Sequence, residues 1–446
     1  MKMPQPPPAF HDLIRKLSQS GDLERILGST FGSHPGPFYL PWDKLRRNPL
    51  PPTFKNHEEW WAATKMLRAG LLKPVPLKDL KGAPFKFCIP DMVFEELHKI
   101  DMKAGEMIGV PEPIINPHTR DQYLMRSLME EAITSSQLEG AATTREVAKE
   151  MIRTGRQPRD TSERMILNNY ITMQRIMKLK DEPLSQNLVF EIHALVTKQT
   201  LEDHGAAGRF RTEHEKRVVG DDTGEIYHDP PPSDQLPDRM AAMCDFGNGK
   251  TPDYFVHPVV KAIILHFWLA YDHPFVDGNG RTARALFYWA MLREKYWLFE
   301  FISISNILRK APKKYGRSFL YTETDDDNDL TYFIVAQSRI IRQAIVELHD
   351  YVNRKSEEIK QLYSCVSAMM SLNHRQADLI RFALKHPYQN FSVESHRSSH
   401  NVVYETARSD LLDLKSRGLL VAKGKKERKL SFSAPPDLAE RLQKMK

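Results

Sequence analysis

The feature that most constrains this chain is the run His273-Pro274-Phe275-Val276-Asp277-Gly278-Asn279-Gly280-Arg281-Thr282-Ala283-Arg284. Apolar residues recur at three- and four-residue steps before it, at Val260, Ile263, Ile264, Phe267, Trp268 and Tyr271. They recur again after it, at Ala285, Leu286, Trp289, Ala290 and Leu292. That period is helical, so the run is predicted to be a loop entering a helix N-terminus between two core helices. Such termini carry unpaired N–H groups and attract anions. Gly278 and Gly280 permit a tight turn and close approach of a ligand to the backbone. Arg281 and Arg284 share a face of the first turn, where their charge opposes the helix dipole unless an anion sits between them. Asp277 supplies the hard oxygens that suit Mg²⁺ bound together with substrate phosphates. Residue types alone therefore imply a phosphate-plus-metal site, with His273 as a candidate base.

At 446 residues with 41% hydrophobic content, the chain is expected to hold two or three domains with ordinary cores. No uninterrupted apolar stretch of about 18 residues occurs, so no membrane span is expected. Met1 to Phe10 is proline-rich without an apolar run and does not read as a secretory leader. Cys88, Cys244 and Cys365 are far apart and lack metal or redox spacing, which suits structural thiols in a reducing cytoplasm. The net charge of +7 permits contact with nucleic acid without arguing for it.

The twelve residues match the Fic motif, His-Pro-Phe-x-Asp/Glu-Gly-Asn-Gly/Lys-Arg-x-x-Arg, at every defined position. The chain thus resembles Fic-domain proteins, most of which move AMP from ATP to a hydroxyl of a target protein with Mg²⁺. The resemblance implies a mainly α fold: a Fic helical bundle with a β-hairpin flap, a helical and extended N-terminal region, and a C-terminal winged helix. Expected boundaries are 1–120 for the N-terminal region, 121–355 for the Fic core with an inhibitory helix at 121–140, and 370–446 for the winged helix. Residues 1 to about 52 are expected to be an extended arm.

Within the predicted helix 121–140, Ser135-Ser136-Gln137-Leu138-Glu139-Gly140 resembles the family's inhibitory motif, Ser/Thr-x-x-x-Glu-Gly/Asn. By that resemblance Glu139 pairs with Arg284 and keeps the ATP γ-phosphate from seating. His273 is then the general base on the incoming hydroxyl and Asp277 the Mg²⁺ ligand. The N–H groups of Gly278, Asn279 and Gly280 form the anion cradle, and Arg281 and Arg284 meet the phosphates. Tyr315 is placed by analogy near the adenosine. Arg217-Val218-Val219 and Glu225-Ile226-Tyr227 flank Asp and Gly turn residues and read as a hairpin. In the family reading Val218 and Val219 belong to a flap that docks the target by β-augmentation. His193, on an amphipathic helix without a catalytic neighbour motif, reads as structural. The run Asp325-Asp326-Asp327-Asn328-Asp329 lacks the glycine of a calcium loop and reads as a solvated turn whose Asp329 caps the next helix.

Helices at 375–384 and 402–417, then short β-prone runs at 419–422 and 429–432, give the order of a winged helix-turn-helix. Residues 415–429 hold seven Lys or Arg against one Glu, which suits DNA phosphates, although this class also serves as a protein-binding module. The expectation is a cytoplasmic, Mg²⁺-dependent AMP transferase with ATP and a protein hydroxyl as partners, DNA as a further partner of the C-terminal module, and homo-oligomerisation left open. De-AMPylation, transfer of another nucleotide or phosphate group, and a DNA-bound regulator with a nucleotide-sensing core are the alternatives.

Overall fold

In the computed structural model, residues 2–30, 39–104, 117–215, 218–220, 224–369, 372–385, 389–426 and 429–444 are described. The chain is mainly helical and divides into two compact units, Met1–Gly109 with Leu124–Val346, and Val110–Tyr123 with Glu347–Lys446. No helix among the described residues is long and apolar enough to cross a membrane.

The first unit opens with α1 (Phe10–Ser20), α2 (Leu23–Thr30), α3 (Trp42–Leu45) and α4 (His57–Ala69). The expected extended arm is therefore largely helical. Leu13 and Leu17, one turn apart on α1, bury against Ile26, Trp42 and Trp61. This small apolar seam outweighs the proline and glycine content that suggested an arm. An antiparallel pair, β1 (Lys73–Lys78) and β2 (Pro84–Phe87), is followed by α5 (Asp91–Ala104).

Next come α6 (Pro117–Leu138), α7 (Arg145–Thr154), α8 (Thr161–Leu179) and α9 (Gln186–Val196). α6 begins four residues before the expected Asp121, and its residues from Leu124 onward belong to the first unit. Caps define the others: Thr144, Asp160 and Ser185 each accept a hydrogen bond from a first-turn N–H. The hairpin β3 (Val219–Gly220) and β4 (Ile226–His228) precedes α10 (Leu236–Gly247), α11 (Pro258–Asp272) and α12 (Asn279–Arg293). α11 and α12 form the centre of the unit. From Thr282 to Leu292 every residue of α12 is buried, so other elements surround the helix.

The first unit continues through α13 (Ile304–Lys310), α14 (Pro312–Glu323) and the start of α15 (Thr331–Met369). The Asp325–Asp329 run is not the fully solvated turn expected: Asp325, Asn328 and Asp329 are buried, Asp327 is half-buried and Asp326 stays exposed. Lys65 from α4, 2% exposed, puts its ammonium 2.7 Å from both Asp325 and Asp326 and against Asp327. Burial acts against that charge, but the three carboxylates outweigh it and raise the lysine pKa. Asp329 does accept from the Thr331 N–H (2.9 Å) at the start of α15, and it also binds the Tyr39 hydroxyl (2.5 Å).

In the second unit α16 (His374–Lys385), β5 (Asn390–Ser392), α17 (Val393–His400), α18 (Tyr404–Ser416), β6 (Val421–Lys426), β7 (Lys429–Ser433) and α19 (Leu438–Lys444) follow in order. The strands form one antiparallel sheet in the order β5-β7-β6. β5 and α17 had no place in the sequence reading. Ser392 and Ser395 form a reciprocal capping box that starts α17. Buried Asp410 on α18 binds Arg375 (2.7 Å), Asn373 (2.7 Å) and His396 (3.2 Å), tying α16, α17 and α18 together.

Candidate active site

The motif loop is held from several sides. α11 ends at His273, which takes the left-handed conformation (φ 45°, ψ 53°) and donates its N–H to Leu269 O at 3.0 Å. A non-glycine residue held there stores backbone strain, and other groups hold it in place. Buried Arg211 donates from Nε to His273 O and from its backbone N–H to Pro274 O, both at 2.9 Å. Asn279 closes a ring on Phe275, with Nδ2 donating to Phe275 O (2.8 Å) and Oδ1 accepting from the Phe275 N–H (3.0 Å). Gly278 is left-handed at φ 81°, and a Cβ there would lie 2.6 Å from Thr197 Cγ2. The glycine is therefore required by both conformation and space.

His193 from α9 is structural, as expected, and its contacts reach the motif loop. Its Nδ1 accepts from the Gly208 N–H (2.9 Å), so Nε2 carries the proton and donates to Asp277 O (2.9 Å). The ring stacks on Phe275 at 3.7 Å between centroids. Burial pulls its pKa down to about 4, which keeps this tautomer neutral. His193 thus fixes the backbone of the motif's carboxylate. Its partner lies 84 residues away, and a single histidine on a helix face carries no local signal of that role.

His273 is half-buried, and its Nδ1 faces Ala270 O at 3.4 Å. A carbonyl can only accept, so this contact places the proton on Nδ1 and leaves Nε2 free to receive one. Burial, reinforced by the nearby His228 charge, pulls the imidazole down to about 4, so it is neutral near pH 7. Asp277 is exposed; its Oδ1 accepts from the Gly278 N–H (2.6 Å) and its Oδ2 lies 3.3 Å from Arg281. Of the expected cradle, the Gly278 N–H is therefore engaged by the loop's own carboxylate. Arg281, 1% exposed, faces inward and also donates to Val196 O (3.2 Å).

Arg284, 2% exposed, donates from Nε to Ser135 Oγ (2.9 Å) and from Nη2 to both Ser135 O (3.0 Å) and Glu139 Oε1 (2.9 Å). A Cβ on Gly280 would sit 2.3 Å from Glu139 Oε1, so this carboxylate covers the second residue of α12. A negative oxygen thus already occupies the helix N-terminus beside a buried arginine, the position a phosphate oxygen would favour. Tyr315 is half-buried, and its hydroxyl bonds His266 Nε2 at 2.8 Å and also meets Arg284.

The flap pairs Val219 with His228 and Gly220 with Ile226. Val218, Val219 and Ile226 are exposed, at 46%, 37% and 56%. Arg217 and the turn Asp221–Thr223 lie outside the described residues. At its base, buried His228 binds Glu323 Oε2 and Tyr271 O, both at 2.6 Å. Both partners accept, so both ring nitrogens carry protons; burial opposes this charge, but Glu323 outweighs it and raises the pKa.

Comparison with known proteins agrees with this architecture. Residues 183–291 match the model of the Fic/DOC family. A protein adenylyltransferase Fic from Nematostella vectensis is 30% identical over 199 residues, 43% of this chain and 43% of the relative. One from Drosophila willistoni is 30% identical over 138 residues, 29% of this chain and 25% of the relative. The matched stretch thus spans less than half of these curated relatives. A solved Fic family protein from Desulfovibrio desulfuricans G20 shares the fold, with a TM-score of 0.52 over 78% of this chain and 97% of that chain at 18% identity.

Proposed function

We propose that this chain is a protein adenylyltransferase, transferring AMP from ATP to a Ser, Thr or Tyr hydroxyl of a target protein and held off by Glu139. The observation that carries the reading is the 2.9 Å contact between Glu139 and Arg284 over the N-terminus of α12. Arg284 has an anion-seeking fork, and Glu139 competes with the γ-phosphate for it. When the carboxylate withdraws, the triphosphate seats along the loop. His273 Nε2 takes the proton of the target hydroxyl. That oxygen attacks the α-phosphorus, the α–β bridging bond breaks, and pyrophosphate leaves.

A metal ion fits the donor set: Asp277 is an exposed carboxylate beside the phosphate-binding end of α12, the one-carboxylate-plus-phosphate pattern of Mg²⁺. Mg²⁺ held by Asp277 would neutralise charge on the α- and β-phosphates. The exposed flap edge at Val218 and Val219 suits a target segment bound through main-chain hydrogen bonds. A cytoplasmic location goes with this reading. Mass spectrometry of a target incubated with Glu139→Gly protein and ATP tests it, because AMP, UMP and phosphate adducts differ in mass. The reverse reaction, with Glu139 directing a water onto an AMP-modified target, is favoured by the solvent access of its side chain, 28% exposed. Release of AMP from a pre-modified target, lost in Glu139→Gly, would identify it.

For the second unit we propose a winged helix-turn-helix, supported by the α16, β5, α17, α18, β6, β7 order and the β5-β7-β6 sheet. Tyr404 and Arg408 on α18 are exposed, which suits contact with DNA. A gel shift of the full chain across a salt series tests this, since phosphate contacts steepen as salt falls.

A further inference from the structure

Arg284 is held by more than its inhibitor. Two of its N–H groups form a fork on Ser135, one to the hydroxyl (2.9 Å) and one to the carbonyl (3.0 Å). The Tyr315 hydroxyl meets the guanidinium as well, and His266 at 2.8 Å backs it. Burial, then the Arg284 charge, pulls His266 down to about 3, so it stays neutral and adds no repulsion. None of these contacts involves Glu139.

The helix that carries Ser135 is itself locked. Glu131, one turn earlier on α6 and 2% exposed, accepts from Tyr288 Oη (2.9 Å), Ser303 Oγ (2.8 Å), the Ser305 N–H (3.1 Å) and Ser305 Oγ (2.5 Å). Moving α6 away would take this shared acceptor from four donors; Tyr288 Oη keeps Ile302 O at 3.2 Å, but the Ser305 N–H and hydroxyl would lose their partner, a costly change in a buried site. Glu139 differs in every respect. It lies just past the last helical residue, Leu138, its side chain is 28% exposed, and Gly140 follows at φ 92°. A rotation of the Glu139 side chain removes one arginine contact and leaves the Ser135 fork intact.

We infer that Ser135 is a positioning residue for the transfer reaction: it keeps Arg284 in the phosphate-seating geometry after Glu139 swings out, with α6 still docked. Although Ser135 opens the inhibitory motif, its effect on the released enzyme is opposite in sign to that of Glu139. The inference rests on the reading that Arg284 seats the γ-phosphate.

The test uses the full chain with Glu139→Gly, alone and combined with Ser135→Ala or Ser135→Thr. Kinetics of AMP transfer give KM and kcat. Calorimetry with Mg-ATP and with Mg-ADP, on the same variants carrying His273→Ala, gives binding without turnover. Ser135→Ala is expected to raise KM for ATP and weaken ATP binding by about tenfold or more, the worth of a hydrogen bond to a charged group. ADP binding is expected to hold, and Ser135→Thr to restore ATP binding. Unchanged ATP affinity in Ser135→Ala, or equal loss of ADP and ATP, overturns the inference. So does a rise in transfer from Ser135→Ala alone that matches Glu139→Gly. If Glu139→Gly itself brings no rise, the autoinhibition reading falls, while the ATP-to-ADP comparison still decides Ser135. Should Ser135→Ala fail to fold, Tyr315→Phe removes the other contact independent of Glu139 and must give the same ATP-specific loss.

Discussion

Gly278→Ala tests the geometry of the motif loop through numbers the structure supplies. Two costs are separable. The first is conformational: at φ 81° an alanine sits in the left-handed region, at about 1–2 kcal/mol. The second is steric: its Cβ would lie 2.6 Å from Thr197 Cγ2, and relieving such overpacking costs about 1–3 kcal/mol. The variant is therefore expected to lose about 2–5 kcal/mol in urea or guanidinium unfolding. Thr197→Ser removes the clashing methyl but keeps the hydroxyl that donates to His193 O at 2.7 Å. Alone it should cost about 1 kcal/mol for the lost buried methyl. In that background Gly278→Ala should cost only the conformational part, so the double-mutant cycle should show coupling of about 1–3 kcal/mol. Coupling near zero, or a Gly278→Ala cost within experimental error, would refute the placement of α9 against the loop.

Three further outcomes follow. The acidic limb of kcat/KM for ATP-dependent transfer by Glu139→Gly should fall at or below about pH 4 rather than 6.5, because His273 must be unprotonated to act, burial draws its pKa down to about 4, and the variant removes a Glu139 charge that acts upward on it; a limb at 6.5 would show an ordinary imidazole. The raised pKa of His228 stabilises the fold fully below the unfolded histidine value of about 6.5, and that contribution is lost as pH rises through the folded value; Glu323→Gln should flatten this part of a stability-versus-pH curve, and an unchanged curve would argue against the ion pair. Lys65→Met leaves Asp325, Asp326 and Asp327 without their shared cation and should destabilise the fold by about 3–5 kcal/mol in denaturant unfolding, whereas a neutral result would mean the acidic turn is solvated.

The parts of the molecule legible in its sequence are those whose partners are close along the chain. The apolar periods of α11 and α12 and the glycines between them placed a loop at a helix N-terminus without reference to any distant residue. The turn residues Asp221 to Gly224 likewise marked the hairpin whose described strands are β3 and β4. What could not be read depends on long-range pairing. The Asp325–Asp329 run has the composition of a surface turn, and distant partners, Lys65 260 residues upstream of Asp325 and Tyr39 on Asp329, draw most of it inward. Helix α1 was obscured by the prolines around it, although Leu13 and Leu17 carry a one-turn spacing. In the second unit β5 is only three residues long, too short to show strand alternation, and it is recognisable only beside β7. Around the motif, Tyr315 was reached only by analogy, and its contacts with His266 and Arg284 were not foreseen, while Arg211 and His193 enter through contacts that no spacing encodes.

In the proposed function Glu139 restrains an AMP-transfer site. The most direct test is incorporation of label from ATP tagged at the α-phosphate into proteins of a cell extract, comparing wild type with Glu139→Gly. A rise of about tenfold or more is expected, from removal of a charge-assisted competitor for Arg284, with a return to background when His273→Ala is added. Incorporation by Glu139→Gly equal to or below that of the wild type would contradict the proposal.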